Sequence, residues 1–241
     1  CPFKYKLIYK DKNFINQPSI AADFGTLVHF IEETMAKTII SYQPLNYEYL
    51  IDLFINAEIV QEEETKNEID ENLNEEVKEN KKEAKYIYGI KKLKELYPKE
   101  FYEKDKHNKT YEDKAYEYIN NGIYRLKDFL ISNPDLDIIG IEQPFELEYN
   151  GVLFHGFIDR VFRDVNTGTI IVEDIKTYSA PLEAKDLTTP LQFVMYTLAA
   201  RNLYRTDDIK CYYDLPLLNI KQEAGTKGYV NRGIKKLDKL L

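Results

Sequence analysis

The sequence predicts an α/β (α+β) fold, a central mixed sheet flanked by helices, with a helical insertion ahead of most of the strands. Three observations carry that expectation. Apolar residues recur at helical spacing as far as about Asn133, the pattern changes to strands joined by hairpin signals from Asp137, and one more helix separates those strands from a last one. At 241 residues the chain can bury a full core as a single domain, 1–241. Within it the insertion is expected at about 41–133, and the core at about 18–40 plus 134–220.

Cys1 to Asn16 reads as a short lead-in. A helix is expected from Ser19, a favourable N-cap residue, to Ile40, with Phe24, Leu27, Val28, Ile31 and Met35 as its buried stripe. His29 lies off the centre of that stripe, on a side shared with Gly25 and Ala36, which leave room around an imidazole. From Leu45 to Asn133 the reading is helical throughout: YEYLIDLFINAEIV, an acidic run, KYIYGIKKLKELY, and a long segment from Tyr111 to Ile131. Next, IIGIEQPFELEY runs into Asn150-Gly151, a strong hairpin signal, and VLFHGFIDRVFR returns. A second turn, DVNTG, leads into GTIIVEDIKT, and three antiparallel strands in a meander are the simplest arrangement. Thr189-Pro190 starts a helix through LQFVMYTLAARNLY, with proline at its first position. IKCYYDLPLLNI reads as another strand, Pro216 marking an edge or the end of pairing, and a last helix follows from about Val230.

The net charge of −8 is concentrated: residues 61–83 hold ten acidic and four lysine side chains, which leaves the remainder at only −2. That run reads as a solvated helix or flexible connector, and a locally basic groove elsewhere is compatible with the total. No apolar stretch approaches the roughly 20 residues that span a bilayer. No membrane segment or signal peptide is read, and two cysteines, Cys1 and Cys211, do not suggest a disulfide framework. A cytoplasmic setting is the expectation. The opening on Cys1 and the close in GIKKLDKLL read as cropped ends.

Register arithmetic brings charges together. With Asn150-Gly151 as a two-residue turn, Tyr149 faces Val152 and Glu142 faces Asp159. With the second loop spanning Val165 to Gly168, Asp159 also faces Asp174. Strand alternation puts Lys176 on that face and turns Glu173 to the other. Carboxylates opposed in this way repel unless a cation intervenes, and oxygen donors suit magnesium or manganese. A surface strand with solvated Asp and Lys explains any one of these residues alone; their coincidence between apolar flanks favours a site. A slip of one residue in either hairpin would break it.

These residues carry a resemblance. Gly156-Phe157-Ile158-Asp159-Arg160-Val161, Val172-Glu173-Asp174-Ile175-Lys176-Thr177 and Gln192-Phe193-Val194-Met195-Tyr196 resemble, in order, the motifs of the PD-(D/E)XK nuclease superfamily. Gly25-Thr26-Leu27-Val28-His29, and the opening Cys1-Pro2-Phe3-Lys4-Tyr5, are similar to its RecB-like branch, which includes AddB and the CRISPR-associated RecB-like nucleases. The resemblance implies a restriction-endonuclease-like core. It also implies that His29, Asp159, Asp174 and the backbone carbonyl of Ile175 bind the metal and that Lys176 is the catalytic lysine. Glu142 matches an acidic position ahead of these motifs. Gln192 and Tyr196, four apart on one helix face, are expected to position DNA or the lysine, with Thr177 and Arg160 as further DNA contacts. Two cysteines cannot supply the four-cysteine iron–sulfur cluster of many branch members.

The implied function is a metal-dependent DNA nuclease, an exonuclease of recombination, repair or mobile-element processing, with DNA as partner and a helicase or recombination protein beside it. The alternatives are a non-catalytic DNA-binding or assembly subunit on the same fold, and a hydrolase of small phosphoesters. The last lacks a phosphate-cradling glycine loop.

Overall fold

Ser19 sets where the first helix begins: its hydroxyl accepts a hydrogen bond from the Ala22 N–H, and helix α1, Ile20–Ile40, follows. Phe24, Leu27, Val28, Ile31 and Met35 are all buried, as their spacing predicts. This computed structural model describes residues 18–63, 83–188, 190–225 and 229–239. The lead-in with Cys1-Pro2-Phe3-Lys4-Tyr5, and most of the acidic run, lie outside the described residues.

Helix α2, Tyr47–Asn56, follows, but the all-helical reading of Leu45–Asn133 fails in two places. First, the acidic run is flanked by strands β1, Glu58–Glu63, and β2, Glu83–Tyr88, paired antiparallel with Ile59 opposite Ile87 and Val60 opposite Tyr86. Ile87 is buried whereas Val60 and Tyr86 are exposed, the two-residue alternation of a half-buried ribbon. Gly89 then turns the chain into α3, Ile90–Leu96. A Cβ there would stand 2.5 Å from the Ala57 nitrogen, so the close approach of these two backbones requires glycine. Second, the long helix expected from Tyr111 breaks into α4, Tyr111–Asn120, and α5, Arg125–Ser132, across a 3₁₀ turn at Gly122–Tyr124. Asn120-Asn121-Gly122 combines poor helix formers at the break.

The strands form the predicted mixed sheet. Among the described residues it has five strands in the order β3-β4-β5-β6-β7: Leu136–Tyr149, Val152–Asp164, Ile170–Ile175, Ile209–Leu215 and Ile220–Ala224. The first three make the expected meander, and β6 joins parallel to β5 after a crossover through α6, Ala184–Thr188, and α7, Leu191–Tyr204. Pro190 is the N-cap of α7 rather than its first residue. IKCYYDLPLLNI gives the expected strand, β6, which ends at Leu215 just before Pro216, and a turn with Asn219 in the left-handed region (φ 54°) then reverses the chain into β7, an added strand that begins at Ile220. Helix α8, Tyr229–Leu237, follows.

Both hairpin registers agree with the arithmetic. Asn150 (φ 50°) and Gly151 (φ 73°) make the two-residue turn, with Tyr149 opposite Val152 and Ile141 opposite Arg160. The second hairpin pairs Arg160 with Glu173. One apolar cluster joins α1 to Leu50, Phe54, Leu93, Tyr118 and Leu126 and reaches Phe162 of the sheet. A second places Phe193, Tyr196, Ala199 and Ala200 of α7 with Val161, Val172 and Cys211.

Arg160 lies between the helices and the sheet at 1% exposure, bonded to carboxylates from three elements. Its Nε and Nη2 donate to Glu173 Oε2 at 3.0 and 2.9 Å, its Nη1 to Glu32 Oε2 at 3.2 Å, and Nη2 also to Asp214 Oδ2 at 2.5 Å. Tyr118 donates to Glu32, Arg125 pairs with Asp214, and Lys221 pairs with Glu173 while resting on the Phe129 ring. Burial opposes the charge on Arg160, but Glu173 and Glu32 outweigh it and raise its pKa. Removing one member of such a cluster strands its partners without counter-charge. Arg160→Met is therefore expected to lower the unfolding free energy by about 3–5 kcal/mol in urea melts, with little rescue by Arg160→Lys, which keeps the charge but loses the fork. A loss below about 1 kcal/mol would place the weight of the cluster elsewhere.

Candidate active site

The site forms where His29 of α1 meets Asp159, in the middle of β4, and Ile175, at the end of β5. Regular pairing of β4 with β5 stops at Arg160–Glu173, and the next residue of β4, Asp159, bonds instead through its side chain: Oδ2 accepts the Ile175 N–H at 2.6 Å. His29, one turn before Glu32 on α1, makes its Nε2 contact with the Ile175 carbonyl at 2.9 Å. Its Nδ1 lies 3.7 Å from Asp159 Oδ2. A carbonyl accepts but cannot donate, so Nε2 carries a proton in that bond, and Nδ1 is the ring nitrogen turned toward Asp159.

Glu142 completes this group. The register sets it across from Asp159, yet its backbone is left-handed (φ 43°), a costly conformation for glutamate in the middle of a strand. One oxygen or nitrogen from each of His29, Glu142 and Asp159 falls within 4.8 Å of the others.

Asp174 stands beside that trio and faces α7. Gln192 Nε2 donates to Asp174 Oδ1 at 2.7 Å and to the Tyr196 hydroxyl at 2.9 Å. The i, i+4 pair thus acts on a carboxylate of the site, with Tyr196 reaching it through Gln192. Lys176 Nζ is 2.7 Å from Asp174 Oδ2, and the Lys176 N–H donates to the Asp214 carbonyl at 2.8 Å, fixing the backbone just past β5. Burial pushes the Asp174 carboxyl up to about 6; Lys176 opposes that rise and the charge on Asp159 adds to it. Oδ2 is buried and makes no well-directed hydrogen bond, so it keeps a lone pair for a further positive partner. Carboxylate oxygens, a peptide carbonyl and an imidazole form a donor set that fits a hard divalent ion.

Thr177 lines the groove with Lys176, its hydroxyl 3.8 Å from where a Cβ on Gly25 would project. Arg160 requires a correction: its guanidinium is buried on the other side of the sheet and committed to three carboxylates, so it has no route to DNA. Glu173 points away from the site as parity predicts, but it is not idle; it is fully buried in the Arg160 cluster. Sequence reading passed over Glu32, Asp214 and Lys221. The only signal was adjacency, since Glu32 follows His29 by three residues; Asp214 and Lys221 come from strands far along the chain. Cys211 is a buried thiol near Thr197 and Tyr229, and burial raises its pKa.

In metal-free protein the raised Asp174 pKa has a definite sign. Between its unfolded value of 3.8 and its folded value of about 6, the native state holds a proton that the unfolded chain has lost. Stability then falls as pH rises across that window, and the penalty persists above it. Asp174→Asn escapes it. In EDTA the variant is expected to be more stable than the parent above pH 6, by on the order of 2–3 kcal/mol, with the gap closing toward pH 4 in paired melts.

No curated protein matches the chain. The family model described as the PD-(D/E)XK nuclease superfamily matches residues 1–236, which includes every side chain of the site. The chain therefore belongs to the PD-(D/E)XK nuclease superfamily, whose enzymes cut DNA with divalent metal ions.

Proposed function

We propose that the protein is a magnesium- or manganese-dependent deoxyribonuclease of the RecB-like branch, working as an exonuclease in recombination, repair or mobile-element DNA processing. The observation that supports it most is the convergence of His29, Glu142 and Asp159 within 4.8 Å, with Asp174 and Lys176 alongside. A divalent ion held there would polarise the scissile phosphate and acidify the attacking water. Asp159, Glu142, Asp174 Oδ2, a ring nitrogen of His29 and the Ile175 carbonyl would hold it, the bond between His29 Nε2 and that carbonyl giving way to the ion. Lys176, anchored by Asp174, orients that water or offsets charge growing on the phosphate. Gln192, which donates to Asp174 and to the Tyr196 hydroxyl, would keep Asp174 oriented toward such an ion.

End-labelled single- and double-stranded DNA, incubated with magnesium, manganese or EDTA, tests the reading. The wild type should release mononucleotides or short oligonucleotides only with metal, and Lys176→Ala should cut roughly 100- to 1,000-fold more slowly. Equal cleavage by both proteins would assign the activity elsewhere, and retention of DNA without cleavage would point to a non-catalytic subunit.

A further inference from the structure

Beside the groove that contains His29, Glu142 and Lys176, a larger cavity of about 730 Å³ opens under the loop after β5. The two share Ala21, Thr177 and Tyr178 as common wall, so a strand lying at Lys176 passes its mouth. Its back wall includes Tyr213, which pairs with Asp174 across β5 and β6 and is therefore one strand spacing, about 4.8 Å, from the site. Tyr178, shared by both linings, leaves 42% of its surface exposed. The frame is braced: Asp105 accepts from Ser179 Oγ at 2.6 Å and from the His107 N–H at 2.8 Å, and pairs with Lys114 at 3.0 Å.

The charge of the lining decides what it can take. Asp105 pairs with Lys114, and the exposed Glu183 and Asp186 outnumber Lys106, leaving His107 as the other nitrogen base of the lining, so the balance of charge does not favour a phosphate. Tyrosine rings, Pro181 and Leu182 favour a flat, uncharged group instead, and the volume falls in the range of roughly 300–1,000 Å³ usual for small-ligand sites. We infer that this cavity receives an unpaired nucleobase of the DNA strand whose phosphate lies at Lys176, with Tyr178 as its stacking surface. The inference rests on the nuclease reading and narrows its substrate. A base in a duplex must first be unpaired and unstacked, so single strands and frayed ends are the preferred substrates.

The test walks 2-aminopurine, one position at a time, along a single-stranded oligonucleotide titrated with the full chain in magnesium, on a Lys176→Ala background that prevents cutting. Fluorescence should be quenched at one or two positions next to the scissile phosphate. Tyr178→Ala should abolish that quench and weaken binding about 10-fold, Tyr178→Phe should retain both, and Ala180→Trp, which fills the cavity, should mimic Tyr178→Ala. Thermal melts that match the parent confirm that these variants fold. An unchanged quench in both Tyr178→Ala and Ala180→Trp, or equal binding and cutting of blunt duplex, overturns the inference while cleavage by the wild type leaves the nuclease reading standing. A wild type that neither binds nor cuts any DNA overturns both.

Discussion

The ionised Arg160 side chain cannot be buried alone, and the groups that answer its charge organise the rest of the molecule. Its acceptors come from α1, β5 and β6. Each is close in sequence or bonding to a residue of the site: Glu32 follows His29 by one helical turn, Arg160 itself follows Asp159, Glu173 precedes Asp174, and the Asp214 carbonyl holds the Lys176 N–H. Locking these partners beneath the sheet therefore fixes where the site residues stand above it. Buried ion pairs are often no more stable than a well-packed apolar substitute, so the gain here is better described as register. A slip by one residue would put Asp174 in place of Glu173 opposite Arg160 and turn the site face inward.

The two faces of β5 thus treat adjacent acids in opposite ways. Both are buried, which opposes ionisation in each. Lys221 and Arg160 outweigh that cost for Glu173 and lower its pKa, whereas for Asp174 Lys176 only partly offsets burial and the neighbouring Asp159. One carboxylate is satisfied and structural; the other retains an unmet electrostatic demand. Lys221 shows the cost of the arrangement, since burial brings its pKa down to about 7 even though Glu173 supports its charge. Strain accompanies the unmet demand, in the left-handed backbone of Glu142.

Much of this was legible because the signals were local and strong. The stripe of α1, the Asn150-Gly151 turn and the two-residue period of the strands determined both register and parity, and with them which charges share a face. The hairpin of β1 and β2 was missed because its alternation is short and borders a polar run, and the break at Asn120-Asn121-Gly122 because flanking helical periodicity masked it. Arg160 was misassigned for a different reason. A sequence shows a cation next to a candidate ligand, but not that Asp214, more than fifty residues later, returns on a parallel strand to enclose it. Glu142 was placed by register and by its match to an acidic position ahead of the motifs, and its strained backbone was invisible until the strand was seen.

Strand parity divides the charges of β4 and β5 between the buried Arg160 cluster and the carboxylate face on which the metal reading rests. Anomalous diffraction from crystals soaked in manganese tests it most directly. A peak bounded by His29, Glu142, Asp159 and Asp174 is expected, with Glu173 still bonded to Arg160. A peak at Glu173, or Asp174 turned away from the ion, would contradict it.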